Sequence, residues 1–135
     1  MVRDDVELVR EAFELLDSDR YEEVLPLVAE DFEMVTTSEV ASEPDAYRGR
    51  AGVRRWFESF LEAMDSVQVE ARRLHSAGRG LVIAEFVIRA RGQRSGIEAE
   101  QAAIALATVA DGKLLRLEFF TSLDQARAVA RARSS

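Results

Sequence analysis

The sequence has no cysteine and a single histidine, His75, and these two shortages exclude more chemistry than any motif supplies. Without thiols there is no disulfide frame, no thiolate metal site and no cysteine nucleophile. One imidazole does not make a multi-histidine metal centre within one chain. Lysine is nearly missing as well: Lys113 stands beside 17 arginines, 18 cations face 25 acids, and the formal net charge is −7. A surface of that sign is unsuited to phosphate, which argues against nucleic acid as a partner. No apolar run approaches the roughly 18–20 residues of a membrane span. The start, Met1-Val-Arg-Asp-Asp5, is acidic where an export signal carries an apolar stretch. The expectation is a cytoplasmic protein with no membrane partner, and the arginine-rich composition fits a GC-rich bacterial genome. With two prolines and 135 residues, the chain reads as one domain over 1–135, long enough to bury roughly two-thirds of its unfolded surface.

What is present is strand pattern. Ile97 to Val109 and Leu114 to Thr121 are apolar runs flanking Asp111-Gly112-Lys113, and Asp-Gly between two such runs is a strong hairpin signal. An earlier hairpin joins Leu81–Ala90 to Ile97 through the polar, glycine-bearing Arg91–Gly96. Before these, Val67 to Ala77 reads as a further strand. Alternation puts Leu115, Leu117, Phe119 and Thr121 on one face and Arg116, Glu118 and Phe120 on the other, with the first set the better core face. In the same way Ala84, Phe86 and Ile88 face inward while Glu85 and Arg89 face out.

The N-terminal half reads as helix. Asp4 and Asp5 precede Val6, Val9, Phe13 and Leu16, an apolar stripe with acids in its first turn. A second helical segment starts at Tyr21 and is interrupted by Pro26, which lacks the backbone donor. Asp31 to Ser38 alternates as a short strand, and Glu39 to Tyr47 has the composition of a loop. Val53, Trp56, Phe57, Phe60, Leu61 and Met64 fall at the spacing of a core-facing helical stripe. Ser122 and Gln125 match a capping box opening a last helix, Asp124 to Arg131. Helices segregated from a mostly antiparallel sheet make the class α+β.

Three stretches, Tyr47–Phe57, Arg89–Gly96 and Asp111–Phe120 followed by Asp124-Gln-Ala126, resemble the SnoaL-like polyketide cyclase group of the nuclear transport factor 2 superfamily, over about Val6 to Ala130. The resemblance implies a cone, a strongly curved and mainly antiparallel mixed sheet wrapped around the helices with one pocket, and a homodimer through the outer sheet face. It also implies a small hydrophobic organic ligand and requires no metal or cofactor. The catalytic groups of the superfamily do not carry over. Aligned to ketosteroid isomerases, the oxyanion tyrosine falls on Ala12, the base on Thr36 and the third acid around Ala103 to Ala105. The relay of limonene epoxide hydrolases falls near Phe119, Phe86 and Ile88.

The pocket expected from this likeness is apolar. Its candidate walls are Trp56, Phe60, Phe86, Ile88, Leu117 and Phe119, with hydroxyls from Thr36, Ser38, Tyr47 and Thr121 around the mouth. Gln101 sits among Ala99, Ala103 and Ala105, where an amide orients a ligand or faces solvent or a partner. His75, beside Ser76-Ala-Gly78, reads as a solvated turn residue before it reads as a general base. Glu98 and Glu100 share a strand face and read as a solvated edge. Two functions stand side by side: a cofactor-independent isomerase or cyclase acting by proton transfer, and a non-catalytic ligand-binding or dimerisation module.

Overall fold

A computed structural model describes residues 4–17, 19–35, 46–62, 64–92 and 98–134, without the side chains of Ala46, Phe60 and Ser134. Helix α1 spans Asp5–Glu14, and Asp4 caps it by accepting a 2.8 Å hydrogen bond from the Val6 amide. The acids Asp5 and Glu7 sit where the helix dipole favours them. Tyr21–Leu27 is a single 3₁₀ segment containing Pro26, so the proline shapes a tight, short helix where a long regular one is not available. Strand β1 (Val28–Val35) and the short β2 (Ala46–Arg48) precede α2 (Gly49–Leu61). Strands β3 (Met64–Gly78), β4 (Leu81–Gly92), β5 (Glu98–Ala110) and β6 (Lys113–Phe120) follow, then α3 (Leu123–Ser134).

The six strands form one sheet in the order β2-β1-β6-β5-β4-β3. All pairings are antiparallel except β1 with β6. The β5–β6 turn has Asp111 at φ 54° and Gly112 at φ 74°, the two positive values that a two-residue hairpin needs to match strand twist. Alternate residues of the long strands serve two cores. Val82, Ala84, Phe86, Ile88, Ala105, Leu117 and Phe119 face α1 and α2, whereas Leu81, Ile83 and Leu106 face Ala126 and Ala130 of α3. Helices α1 and α2 therefore cover the concave side and α3 the convex side.

Several expected boundaries move. Helix α2 ends at Leu61 and Met64 opens β3 opposite Gly92, so Met64 reaches the core from a strand, and its match to the helical spacing is a coincidence of position. Strand β1 starts at Val28, three residues earlier than expected, because it pairs with Leu114 there. Strand β2, unanticipated, lies where a loop was expected and pairs Tyr47 with Met34. Gly52 lets α2 close on it, since a Cβ there would stand 2.8 Å from the Tyr47 carbonyl carbon.

Candidate functional site

The concave interior is built from rings. Phe13 of α1 lies 5.2 Å from Phe86, Phe86 5.5 Å from Phe119, and Phe119 6.3 Å from Trp56. Trp56 meets Phe57 edge-on at 4.9 Å, and Phe57 stacks on Tyr21 at 4.8 Å. These centroid separations are those of attractive ring pairs, and the chain of rings runs continuously from α1 across the sheet to the 3₁₀ segment. Between α1, β1, α2 and β6 the enclosed void is only about 10 Å³, room for no more than about one water. The floor of the cone is packed.

At one end the β4–β5 pair runs beyond β6. Strand β6 pairs with β5 only from Ile104 to Ala110, while β4 pairs with β5 as far as Glu98. Ile88 stands opposite Gln101 and Ala90 opposite Ala99. Directly opposed residues share a face, so Gln101 and Ala99 lie on the same concave face as Ile88 and Ala90. Ala90 and Ala103 are nearly buried and Gln101 is exposed. The side chains along that stretch are short, and the exposed Gln101 amide, donating to the Ala102 carbonyl at 3.1 Å, is a polar group on it.

The other candidates separate by place. Phe86, Ile88, Leu117, Phe119 and Trp56 are buried in the concave core. Tyr47 is also buried, behind α2 with the Arg55 guanidinium 5.6 Å from its ring centre; it is wall and not rim. Thr121 is exposed just past β6. Thr36, Ser38 and the Phe60 side chain lie outside the described residues. Glu98 and Glu100 are exposed and pair with Arg91 and Arg89 at 3.1 Å each.

His75 corrects a placement: it belongs to the convex face. Val67, Val69 and Ala71 oppose Ala90, Ile88 and Phe86, but a bulge between Ala71 and Arg73 inserts one residue. Beyond it Leu74 opposes the inward Ala84 and His75 opposes the outward Ile83. Nor is it a lone turn residue, because its Nε2 lies 2.9 Å from Glu85 Oε2. Sequence alternation missed this and missed Arg127 and Arg131, which line the same outer groove. Their spacing of four on the last helix was the available signal.

Among the described residues the concave core cluster holds no charged side chain. Glu118 is the only buried charged residue among those described, and it lies on the convex face, held by both Arg133 guanidinium nitrogens. That hydrogen bond raises the Arg133 pKa above its ordinary value, against a smaller opposing effect of burial. In the interior, Ala12 and Ala105 are fully buried and Ala103 nearly so. None of the three can donate, accept or hold a proton with its side chain. Among the described residues no group of three or more metal-ligating side chains occurs, and no helix is long and apolar enough to cross a membrane.

The family model of the SnoaL-like domain matches residues 9–117. No curated protein matches the chain. Among solved structures, TerC co-crystallised with polyporic acid superposes with a TM-score of 0.74 at 15% identity, over 94% of this chain and 98% of that one. RV0760c of Mycobacterium tuberculosis, in complex with estradiol-17beta-hemisuccinate, gives 0.71 at 15% identity over 90% and 97%. The Delta 5-3-ketosteroid isomerase of a Mycobacterium species gives 0.69 at 16% identity over 90% and 96%. At such identities the likeness is one of fold, and activity has to be argued from the site.

Proposed function

The chain belongs to the SnoaL-like domain family, and we propose that it is a ligand-binding member, which takes a flat apolar organic molecule at the cone's mouth and performs no proton transfer on it. One observation carries this reading: the positions that the resemblance aligns with the oxyanion tyrosine, the base and the third acid of ketosteroid isomerases hold Ala12, Thr36 and the stretch around Ala103 to Ala105, and Ala12, Ala103 and Ala105 are buried. Proton abstraction beside a carbonyl needs a base and an oxyanion partner within hydrogen-bond reach. A planar ring system entering from the end where β4 and β5 run beyond β6 would meet the edge of the Trp56, Phe86 and Phe119 cluster, whose rings are buried against one another, with Gln101 as the polar handle.

Trp56 is the only tryptophan of the chain, so its fluorescence reports on the floor directly. Estradiol and polyporic acid are suitable probes. Saturable quenching is expected, and Ala99→Phe, at the exposed end of the concave face opposite Ala90, should weaken it while circular dichroism stays unchanged. The absence of quenching by either probe would overturn binding. Conversion of 5-androstene-3,17-dione to its conjugated isomer would overturn the non-catalytic half of the proposal.

A homodimer through the outer sheet face belongs to the same reading, over the part that α3 leaves open. There Arg89 lies between Glu70 and Glu100 across three strands, beside Val87 and Ala102. Alternating charges of this kind are able to meet their own two-fold copy. A cytoplasmic, bacterial setting is supported by the cysteine-free, arginine-rich composition. Light scattering on the purified chain tests the dimer, and a monomer at all concentrations would exclude it.

A further inference from the structure

A groove of about 310 Å³ lies on the convex side between β3 and α3, far from the aromatic floor. Ala77, Ile83 and Ala130 give it an apolar base, and His75, Arg127 and Arg131 stand around it. Among the described residues its lining contains no aspartate or glutamate. That is unusual on a chain with 25 acids and 18 cations. Each of the other surface grooves described mixes the signs: Glu14 and Asp17 line the one beside α1, Asp31 and Glu33 the one near Arg133, and Glu22 the one at Arg54.

We propose that this groove is a second binding site, for a small amphipathic organic anion such as an aryl carboxylate. The apolar base receives the ring. Arg127 and Arg131, one helical turn apart, present their guanidinium groups to the carboxylate. Glu85, in contact with His75 at 2.9 Å, is absent from the lining. The site is independent of the cone interior, and its occupancy does not rest on the function proposed above.

The test is a nuclear magnetic resonance titration of the labelled full chain with naphthoate, the neutral naphthamide and inorganic phosphate. Naphthoate should shift the amides of His75, Ile83, Arg127 and Ala130 saturably and leave the Trp56 indole unmoved. Naphthamide and phosphate, each lacking one half of the recognition, should bind at least about tenfold more weakly, the loss expected for one charge-assisted contact. Arg127→Gln with Arg131→Gln should weaken naphthoate by a similar factor. Both residues are exposed, and Arg127→Gln alone serves as a second variant should the pair unfold. Naphthoate shifts confined to Trp56 and Ala103, equal binding of naphthamide or of phosphate as read at His75 and Arg127, or unchanged affinity at those amides in the variants would each overturn the site.

Discussion

The same four long strands present two faces, and the two are held to their neighbours by different physics. On the concave face Phe86 and Phe119 interlock with Phe13 and Trp56, and the contact is large, apolar and without ionisable groups. On the convex face α3 rests two alanines, Ala126 and Ala130, on Leu81, Ile83 and Leu106 and is clasped by the Arg133–Glu118 pair. A ring buried among rings contributes dispersion and area that no single contact replaces. Small residues contribute close approach and little area, so the clasp matters more there. The difference teaches that the interior sets stability, while the exterior, with its exposed cations, is where specificity for a charged partner is available.

Substitutions test that contrast directly. Phe86→Ala should cost about 3–5 kcal/mol, read from denaturant midpoints, since Phe86 is 2% exposed; a loss below about 1 kcal/mol would show that the ring chain is not the anchor. Gly52→Ala should cost about 1–3 kcal/mol, because the new methyl meets backbone at 2.8 Å and backbone does not yield as a side-chain tip does. On the convex face Arg133→Ala should cost about 1–2 kcal/mol, the lower part of the range for a buried acceptor left without its partner, because Arg133 itself is half exposed and screened.

The sign with pH follows from the direction of the Arg133 shift. A folded-state value raised above the ordinary one means its contribution is complete at all pH values below the arginine range and is lost only above it. The arginine therefore imposes no pH dependence on the Arg133→Ala penalty across neutral pH, and the denaturant midpoints of both proteins test this. Arg89→Ala should be the mildest, with no resolvable change in midpoint, because Arg89, Glu70 and Glu100 keep 39%, 45% and 58% of their side chains in solvent. A measurable loss there, growing with protein concentration, would instead reveal the dimer face.

Much of the fold was legible. The Asp111-Gly112 turn, the alternation that turns Leu117 and Phe119 inward and Arg116 and Glu118 outward, and the stripe Val53-Trp56-Phe57 are local patterns with one consistent reading. The missing acids were legible too, since Ala12 and Ala103 carry no proton whatever surrounds them. Less legible were features set by partners distant in sequence. Strand β2 has three residues and exists through its pairing with β1. Met64 fits a helix and a strand equally by spacing, and the ladder opposite Gly92 decided for the strand. Tyr47 is amphipathic enough for rim or wall, and the approach of α2 at Gly52 made it wall.

His75 shows where local reasoning stops. The order of residues along β3 determined that they alternate, because successive side chains of an extended chain point oppositely. It did not determine on which side the count resumes after Ala71, since a bulge exists only between two paired strands and reverses the parity of everything beyond it. By itself the sequence decided composition, turn chemistry and the absence of proton-handling side chains at Ala12, Ala103 and Ala105. The tertiary structure decided which groups meet: rings from α1, α2 and the sheet on one side, and His75, Arg127 and Arg131 from a strand and a helix some fifty residues apart on the other.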